Sequence, residues 1–301
     1  MSPTRRAYAA FVTTCIVWGT TYLAIRIALE SIPPMLMAAF RWIAAGAVLI
    51  AALAARGEKL PSIREWPAIT VLGILLLGFG NGAVVWAELT VPSGLTAVLV
   101  ATVPFWMVGV NAIAQRGAAT QAVEEGLTPR RAAGLLVGFL GIVLLVWPEL
   151  RIDSGRGFLM GVLSTQLAGL GWAVGSSYAR HRGRTHAQEE NVLATAAFEM
   201  LFGGVALLAV GSALGEWPRV AFTTRSALAL AHLIVFGAIA GFTAYVYALK
   251  HLPVATVSLY AYINPLIAVV LGVLILHEPF SARMAAAAAI VLGGMALVRR
   301  E

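Results

Sequence analysis

The chain is a succession of long apolar runs, each separated from the next by a short stretch rich in charged residues, proline or glycine. A helix that crosses a bilayer needs roughly 20 predominantly apolar residues, and the runs have about this length again and again. We therefore predict ten spans joined by short loops, of which the fifth has the weakest signal. Their ranges are about 7–29, 34–55, 67–88, 94–115, 129–147, 157–179, 191–212, 226–249, 254–276 and 281–298.

Composition indicates that lipid surrounds these runs. Hydrophobic residues make up 60% of the 301 residues and charged residues 12%, with a mean hydropathy of +0.86. A soluble domain carries about 25% charged residues, and so few charges could not cover this apolar area in water. The predicted fold class is an all-α integral membrane protein.

The basic residues predict the orientation. The formal net charge is +7, but the 21 Lys and Arg are scattered in short clusters between apolar runs, which is typical of membrane topology rather than of a nucleic-acid surface. With the N-terminus inside, fourteen of them lie on the cytoplasmic side and five on the opposite side, while Arg26 and Arg41 lie within spans. We expect a multi-pass protein of the plasma (inner) membrane with both termini cytoplasmic and no nucleic-acid partner.

The first span bears on two further questions: whether it is a cleaved signal peptide, and whether the chain could form a disulfide or a cysteine-based metal site. Arg5-Arg6 precedes an apolar stretch from Ala7 to Leu29, which is too long for the core of a typical signal peptide and is read as a retained first helix. Cys15 is the single cysteine, so it excludes an internal disulfide and a cysteine-based metal site. We expect neither a metal nor a cofactor.

The two halves of the chain resemble each other in order and spacing. The matches fall in register between spans 1–5 and spans 6–10, and the spacing drifts only where loop lengths differ. We therefore predict two repeats, residues 1–150 and 151–301. The matched positions are Gly19-Thr20-Thr21-Tyr22 with Gly175-Ser176-Ser177-Tyr178, Ala38-Ala39-Phe40 with Ala196-Ala197-Phe198, Gly80 with Gly241, Pro92 with Pro253, Pro104 with Pro265, and Gly141 with Gly294.

Five spans per repeat is an odd number, so the second copy enters the membrane from the opposite side. Such 5+5 inverted repeats recur in transporters that work by alternating access, with the solute site near the midplane between the halves. Pro104 and Pro265 lie about half-way along spans 4 and 9 and remove a backbone hydrogen bond there. We predict that both act as hinges, although two simple packing kinks are the alternative.

Polar and aromatic residues interrupt the spans at depths where aliphatic residues would suffice. Rings supply an apolar wall, while hydroxyls and amides supply a few donors and acceptors, which suits a small amphipathic solute. Glycines next to them permit close helix approach, the plainer explanation for most glycines. The residues predicted to line a substrate-binding cavity are Trp18, Tyr22, Asn81, Trp172, Tyr245, Tyr260 and Asn264.

Two charges lie deep enough in the spans to require partners or water. Arg41 and Glu199 occupy nearly equivalent positions in the two repeats and could form a charge pair. Alternatively, each faces the cavity, with Arg41 binding a carboxylate and Glu199 binding an ammonium group or a coupling proton. We expect Arg26 and Glu30 to form a surface pair, and Glu88 to lie at an outer boundary.

These features resemble the drug/metabolite transporter superfamily, EamA-type, over essentially the whole chain. The resemblance is carried by "PPMLMAAFRWIAAGAVLI" at the start of span 2 and by "LPVATVSLYAYINPLIAVVLGVLILHEPFS" across span 9. It implies transport of small metabolites, often amino-acid export, and the Trp and Tyr content is similar to the aromatic amino-acid exporter branch. One departure is the turn after span 4, where Gln115-Arg116-Gly117 replaces the acidic motif seen at His277-Glu278-Pro279.

The function predicted is secondary transport, as an exporter, of small amphipathic metabolites such as amino acids, including aromatic ones. A channel, or an efflux protein for several solutes or organic cations, is the alternative. An intramembrane enzyme is disfavoured because the chain has a single aspartate, Asp153, and contains neither H-E-x-x-H nor G-x-S-x-G. The absence of a phosphate loop also disfavours ATP-driven pumping. A monomer is compatible with the sequence.

Overall fold

The computed structural model of the chain describes residues 3–115, 129–146, 155–185, 191–252, 254–257 and 259–299. Across these ranges the secondary structure is helical, with no strand. The predicted boundary between the repeats at residue 150, and the Arg116-Gly117 departure after span 4, lie outside the described residues.

The helices follow the apolar runs closely, and proline stands at or near the start of several of them, where its missing N–H costs no hydrogen bond. We number the helices α1 to α10. Their bounds are Pro3–Ala28 (α1), Pro34–Ala55 (α2), Trp66–Ala87 (α3), Ser93–Val100 and Val103–Gln115 (α4), Pro129–Val146 (α5), Arg156–Thr185 (α6), Val192–Ala213 (α7), Thr224–His232 continuing to Gly241–His251 (α8), Val254–Val257 and Tyr260–Leu276 (α9), and Ala282–Arg299 (α10).

Two of these helices contain a π-helical segment in the middle. The segments are Ile74–Asn81 in α3 and Leu233–Ala240 in α8, eight residues each, and both continue directly into α-helix. Each contains small and apolar residues and ends just before a glycine, Gly82 or Gly241. Such segments are rare in helices and are frequent at functional sites, and here they occupy corresponding places in the two halves of the chain.

Within the part of the chain that the structure describes, seven helices are long and apolar enough to cross a membrane. Three shorter apolar helices accompany them, at Ala132–Leu144, Ile263–Leu276 and Ala282–Leu297. In hydrocarbon only structures that satisfy their own backbone hydrogen bonds are stable across the bilayer, and helices of this composition meet that condition. The chain is therefore an all-α, multi-pass membrane protein. The ten-span count and the 5+5 arrangement stay predictions.

Helix packing is reciprocal between the two halves. Helix α2 packs along α7, and α5 packs along α10. Three other contacts come in matched pairs: α1 with α8 and α6 with α3, α1 with α9 and α6 with α4, α2 with α8 and α7 with α3. Exchanging each helix for the one five places later reproduces this set of neighbours.

Close helix approach in the two central pairs depends on glycine. A Cβ atom on Gly46 of α2 would lie 2.7 Å from the backbone oxygen of Ala197 in α7. A Cβ atom on Gly294 of α10 would lie 2.6 Å from the backbone oxygen of Gly134 in α5. No side chain fits at such distances, so small residues set the separation of these helices, as is usual in membranes.

Candidate solute-binding site

A cavity of about 190 Å³ opens between the beginning of α7 and the end of α8. This is smaller than the roughly 300–1,000 Å³ typical of sites for drug-sized ligands, so the cavity suits a small solute. We call the end of the molecule where it opens the open end. The cavity is lined by Val192, Thr195, Ala196, Glu199, Phe242, Tyr245 and Val246.

Four aromatic side chains from three helices meet beside this cavity. The ring of Trp18 in α1 lies 5.4 Å from that of Phe242, 5.1 Å from that of Tyr245 and 5.0 Å from that of Tyr260, measured between centroids. The rings of Tyr245 and Tyr260 are 5.7 Å apart and nearly perpendicular. Edge-to-face pairs of this kind stabilise one another by about 0.5–1.5 kcal/mol each beyond their burial. We call Trp18, Phe242, Tyr245 and Tyr260 the ring cluster.

The indole of Trp18 is fixed by the backbone of α8 as well as by the rings. Its Nε1 donates a hydrogen bond to the carbonyl oxygen of Gly237, 3.0 Å away. A Cβ atom on Gly241 would lie within 2.8 Å of both Nε1 and Cδ1 of this indole, so only glycine leaves room for it. The other half repeats the arrangement, because Trp172 lies against Gly80, where a Cβ atom would come within 2.5 Å.

The structure brings three of the seven predicted lining residues into the ring cluster, namely Trp18, Tyr245 and Tyr260. Asn81 instead lies within the protein, where its Oδ1 accepts a hydrogen bond from Trp42 Nε1 at 2.9 Å. Asn264 is buried, and with its amide nitrogen oriented as donor it bonds to the carbonyl oxygens of Cys15 at 3.0 Å and Tyr260 at 3.1 Å. Both amides therefore link helices in this state rather than face the cavity.

The deep charges are not arranged as a simple Arg41–Glu199 pair. Glu199 lines the cavity, whereas Arg41 is 4% exposed and stacks over the ring of Trp42, with Cζ 4.2 Å from the ring centroid. The acidic group that interacts electrostatically with Arg41 is Glu88. Tyr22, another predicted lining residue, interacts with both Arg41 and Glu88. Arg41, Glu88 and Tyr22 thus form a second polar group.

Glu88 is the residue that sequence reasoning missed. It was expected at an outer boundary, yet it is fully buried, and neither carboxylate oxygen has a hydrogen-bond partner among the described residues. The Nε and Nη1 atoms of Arg41 also have none. In the sequence Glu88 stands one residue beyond an apolar run. A carboxylate at such a position can be either buried or hydrated, so the sequence did not predict its burial.

The predicted surface pair of Arg26 with Glu30 is wrong. Arg26 Nη1 donates to the backbone oxygen of Glu88, while Arg225 Nη2 lies 3.3 Å from Glu30 Oε1. The spacing of four residues places Arg26 and Glu30 on one face of a helix, but it does not show that each side chain has a partner elsewhere in the chain. Arg26 instead faces the end of α3.

Polar contacts close the molecule at the end where α1 and α3 finish, which we call the sealed end. Glu216 is 2% exposed and accepts a hydrogen bond from Leu36 N, at the start of α2. Glu278 caps the start of α4, because its carboxylate accepts from Ser93 N at 2.8 Å, Ser93 Oγ at 3.0 Å and Gly94 N at 3.3 Å. Carboxylates at helix N-termini are stabilised by the exposed N–H groups and the helix dipole.

A threonine–histidine contact joins α1 and α8 between the sealed end and the ring cluster. Thr20 Oγ1 lies 2.8 Å from Nε2 of His232. Thr20 also donates to the carbonyl of Val17, which leaves its oxygen free to accept from the imidazole. His232 therefore serves here as a hydrogen-bonded link between helices.

The two prolines differ in their local geometry. Pro265 lies inside the helix Tyr260–Leu276. Pro104 lies in the first turn of Val103–Gln115, after a turn at 101–102 that interrupts α4. Thr102 Oγ1 contacts the carbonyl oxygen of Leu99 and Gln166 Oε1 at this interruption. Proline is tolerated in a first helical turn, so Pro104 begins a segment rather than bending a continuous helix.

Reciprocal packing of two halves is an architecture that recurs in transporters, and in this membrane protein an aromatic-walled cavity lies between α7 and α8 of the second half. The chain matches the EamA-like transporter family twice, over residues 5–147 and 159–300. It belongs to that family, within the drug/metabolite transporter superfamily, as the sequence resemblance indicated. The family makes it a transporter rather than an enzyme.

Relatives match across most of the chain. The uncharacterized inner membrane transporter YedA of Escherichia coli strain K12 is 36% identical over 269 residues, 88% of this chain and 81% of the relative. Protein PecM of Dickeya dadantii is 24% identical over 290 residues, covering 96% and 91%. A crystal structure with 24% sequence identity matches with a TM-score of 0.65 over 97% of this chain and 96% of its own, which supports the fold.

Proposed function

We propose that the protein is a secondary transporter of small amphipathic metabolites, with amino acids, including aromatic ones, as its solutes and export as its direction. The observation that carries the proposal is the ring cluster beside the cavity. Phe242 and Tyr245 belong to both, and Glu199 is the acidic side chain of the cavity lining. A wall of rings accommodates an apolar or aromatic side chain, and a carboxylate accommodates an ammonium group.

Alternating access through a 5+5 inverted repeat is the mechanism we propose. The reciprocal helix packing and the paired π segments support it, since equivalent contacts in both halves allow the two ends to open in turn. In the described state one end holds the cavity and the other holds the Glu216 and Glu278 caps. The charge distribution favours an orientation with the open end at the cytoplasm and the sealed end outside.

The inner membrane is the location we propose, with both termini cytoplasmic. The printed name of the relative YedA describes an inner membrane transporter, and the excess of Lys and Arg in the predicted cytoplasmic loops favours this orientation. Labelling of single cysteines from one side of the membrane tests it. A cysteine introduced at the exposed position Arg225 should react from outside, and one at the exposed position Lys250 should not.

Counterflow in proteoliposomes tests the function directly. The purified protein should exchange labelled phenylalanine against unlabelled amino acid, and net flux should respond to a pH gradient if the proton is the coupling ion. Single replacements of Trp18 and Trp172 by alanine should lower solute affinity, whereas those of Asn81 and Asn264, which link helices in this state, should act on stability as well. Unaltered solute affinity in all four variants would refute the prediction that these residues line the solute-binding cavity.

Efflux of organic cations is the second candidate function. It is favoured because Glu199 is the charged side chain among the residues that line the cavity, and a cavity that holds an acidic but no basic side chain suits a cation without a carboxylate group. The same counterflow panel separates the two, since exchange of quaternary ammonium compounds without exchange of amino acids would select the second candidate. Flux that does not saturate and shows no counterflow would indicate a channel.

A further inference from the structure

Arg41 and Glu88 present an unusual combination at the sealed side of the ring cluster. Arg41 is 4% exposed and Glu88 is 0% exposed, so both charges are removed from water. They interact electrostatically, yet the Nε and Nη1 atoms of Arg41 and both oxygens of Glu88 make no hydrogen bond within the described protein. Buried donors and acceptors of this kind are strongly destabilising when left unmatched.

The two unsatisfied groups are complementary to one ligand. A guanidinium binds a carboxylate through two N–H groups, and a carboxylate binds an ammonium group. An α-amino acid in its zwitterionic form carries both of these groups on a single carbon atom. Inserted between Arg41 and Glu88, it would satisfy the donors of the one and the acceptors of the other.

The surroundings also fit an amino acid. Nη2 of Arg41 lies beside Gly237, since a Cβ atom there would be 3.2 Å from it. The carbonyl of the same Gly237 accepts the hydrogen bond from Trp18. One backbone residue of α8 therefore separates the Arg41–Glu88 pair from the ring cluster, which could receive an aromatic side chain.

We infer that Arg41 and Glu88 bind the α-carboxylate and α-ammonium groups of an amino acid solute when the sealed end opens. The inference deepens the proposed function and rests on it: Glu199 lines the cavity at the open end in the described state, whereas Arg41 and Glu88 receive the solute when the sealed end opens. Tyr22 of α1 interacts with both, and Arg26 donates to the backbone oxygen of Glu88 and so holds the end of α3 in place.

The neighbouring charges are accounted for. Glu278 also interacts electrostatically with Glu88, but its carboxylate is engaged by Ser93 and Gly94 at the start of α4. His232 interacts with Arg41 and is bonded to Thr20. Both of these side chains are thus engaged by other residues. Arg41 and Glu88, by contrast, have the unsatisfied N–H donors and carboxylate oxygens that would bind the carboxylate and ammonium groups of an amino acid.

The test compares three competitors of phenylalanine counterflow: phenylalanine itself, phenethylamine, which lacks the carboxylate, and 3-phenylpropionate, which lacks the ammonium group. Arg41→Gln should lower the affinity for phenylalanine and phenylpropionate about tenfold or more, the loss expected from one charge-assisted hydrogen-bonding group, and leave phenethylamine within about twofold. Glu88→Gln should show the reverse preference, with phenethylamine weakened and phenylpropionate unchanged. Because Gln keeps the volume of Glu, this variant should fold.

Controls separate binding from a structural role. Arg225→Gln and Glu30→Gln remove an exposed ion pair at the same end and should change no competitor by more than about twofold. If Arg41 and Glu88 were only a structural pair, the single variants would weaken all competitors equally and the double variant Arg41→Gln/Glu88→Gln would restore phenylalanine exchange. That outcome overturns the inference. Absence of counterflow in the unaltered protein would instead refute the proposed function.

Discussion

Gly241→Ala provides a direct test of the ring cluster, because the distances set the size of the effect. A Cβ atom on residue 241 would lie 2.4 Å from Nε1 of Trp18 and 2.8 Å from Cδ1. Ordinary carbon contacts begin near about 3.5 Å, so the indole must move by about 1 Å. The bond from Nε1 to the carbonyl of Gly237, now 3.0 Å, would then exceed the length of a useful hydrogen bond.

The expected loss combines three contributions. Breaking the hydrogen bond costs about 0.5–1.5 kcal/mol, overpacking about 1–3 kcal/mol, and the change from glycine to alanine in a helix returns about 1 kcal/mol. The free energy of unfolding should therefore fall by about 0.5–3.5 kcal/mol. Because the displaced indole contacts Phe242, Tyr245 and Tyr260, the affinity for an aromatic amino acid should fall about tenfold.

Thermal unfolding in detergent and titration of tryptophan fluorescence with phenylalanine measure both quantities. The matched control is Gly293→Ala in α10, where a Cβ atom would have no neighbour within 4 Å. This control should be neutral or slightly stabilising and should bind phenylalanine unchanged. If Gly241→Ala matched Gly293→Ala in both unfolding temperature and affinity, the fixed position of Trp18 would not matter for binding.

Three further predictions concern stability and movement. Glu278→Ala should lower the free energy of unfolding by about 1–3 kcal/mol, because the start of α4 loses its cap, and Glu278→Gln should recover part of the loss in thermal unfolding. Asn264→Leu should cost about 1–3 kcal/mol, since the carbonyl of Cys15 loses its donor, and equal unfolding temperatures would contradict the link between α1 and α9. Pro104→Ala and Pro265→Ala should slow counterflow at least threefold without altering equilibrium binding. Unchanged rates in both would refute the hinge proposal.

Much of the helix layout was predictable, because helix ends in this chain coincide with changes of hydropathy. The predicted span 34–55 agrees with the observed α2, and the boundary of the predicted span 67–88 agrees with α3 to within one residue at each end. The π segments were not predictable. A run such as Ile74–Asn81 is apolar on every side of the helix, so its sequence has no polar–apolar period that would distinguish a π-helix from an α-helix.

The site was predictable in part, for a different physical reason. Hydropathy gives the depth of a residue along its helix but not the direction in which its side chain points. Trp18 and Tyr260 were expected in a shared wall and do meet there. Glu88 stands at a helix end, where carboxylates are usually hydrated, and only the packing of α1 against the end of α3 buries it.

The paired π segments also affect how these helices can change shape. The backbone hydrogen bonds of each segment span five residues rather than four, so each hydrogen-bonded loop encloses one residue more than in an α-helix. One residue corresponds to about 100° of rotation. Sliding that surplus residue along α3 or α8 by one turn would rotate the stretch it passes while both helix ends stay anchored. Gly80 and Gly241, with Trp172 and Trp18 against them, lie at these points. Migration of the π segment along its helix, in α3 and in α8 at matching depths, would thus reorient both tryptophans without any change in loop length.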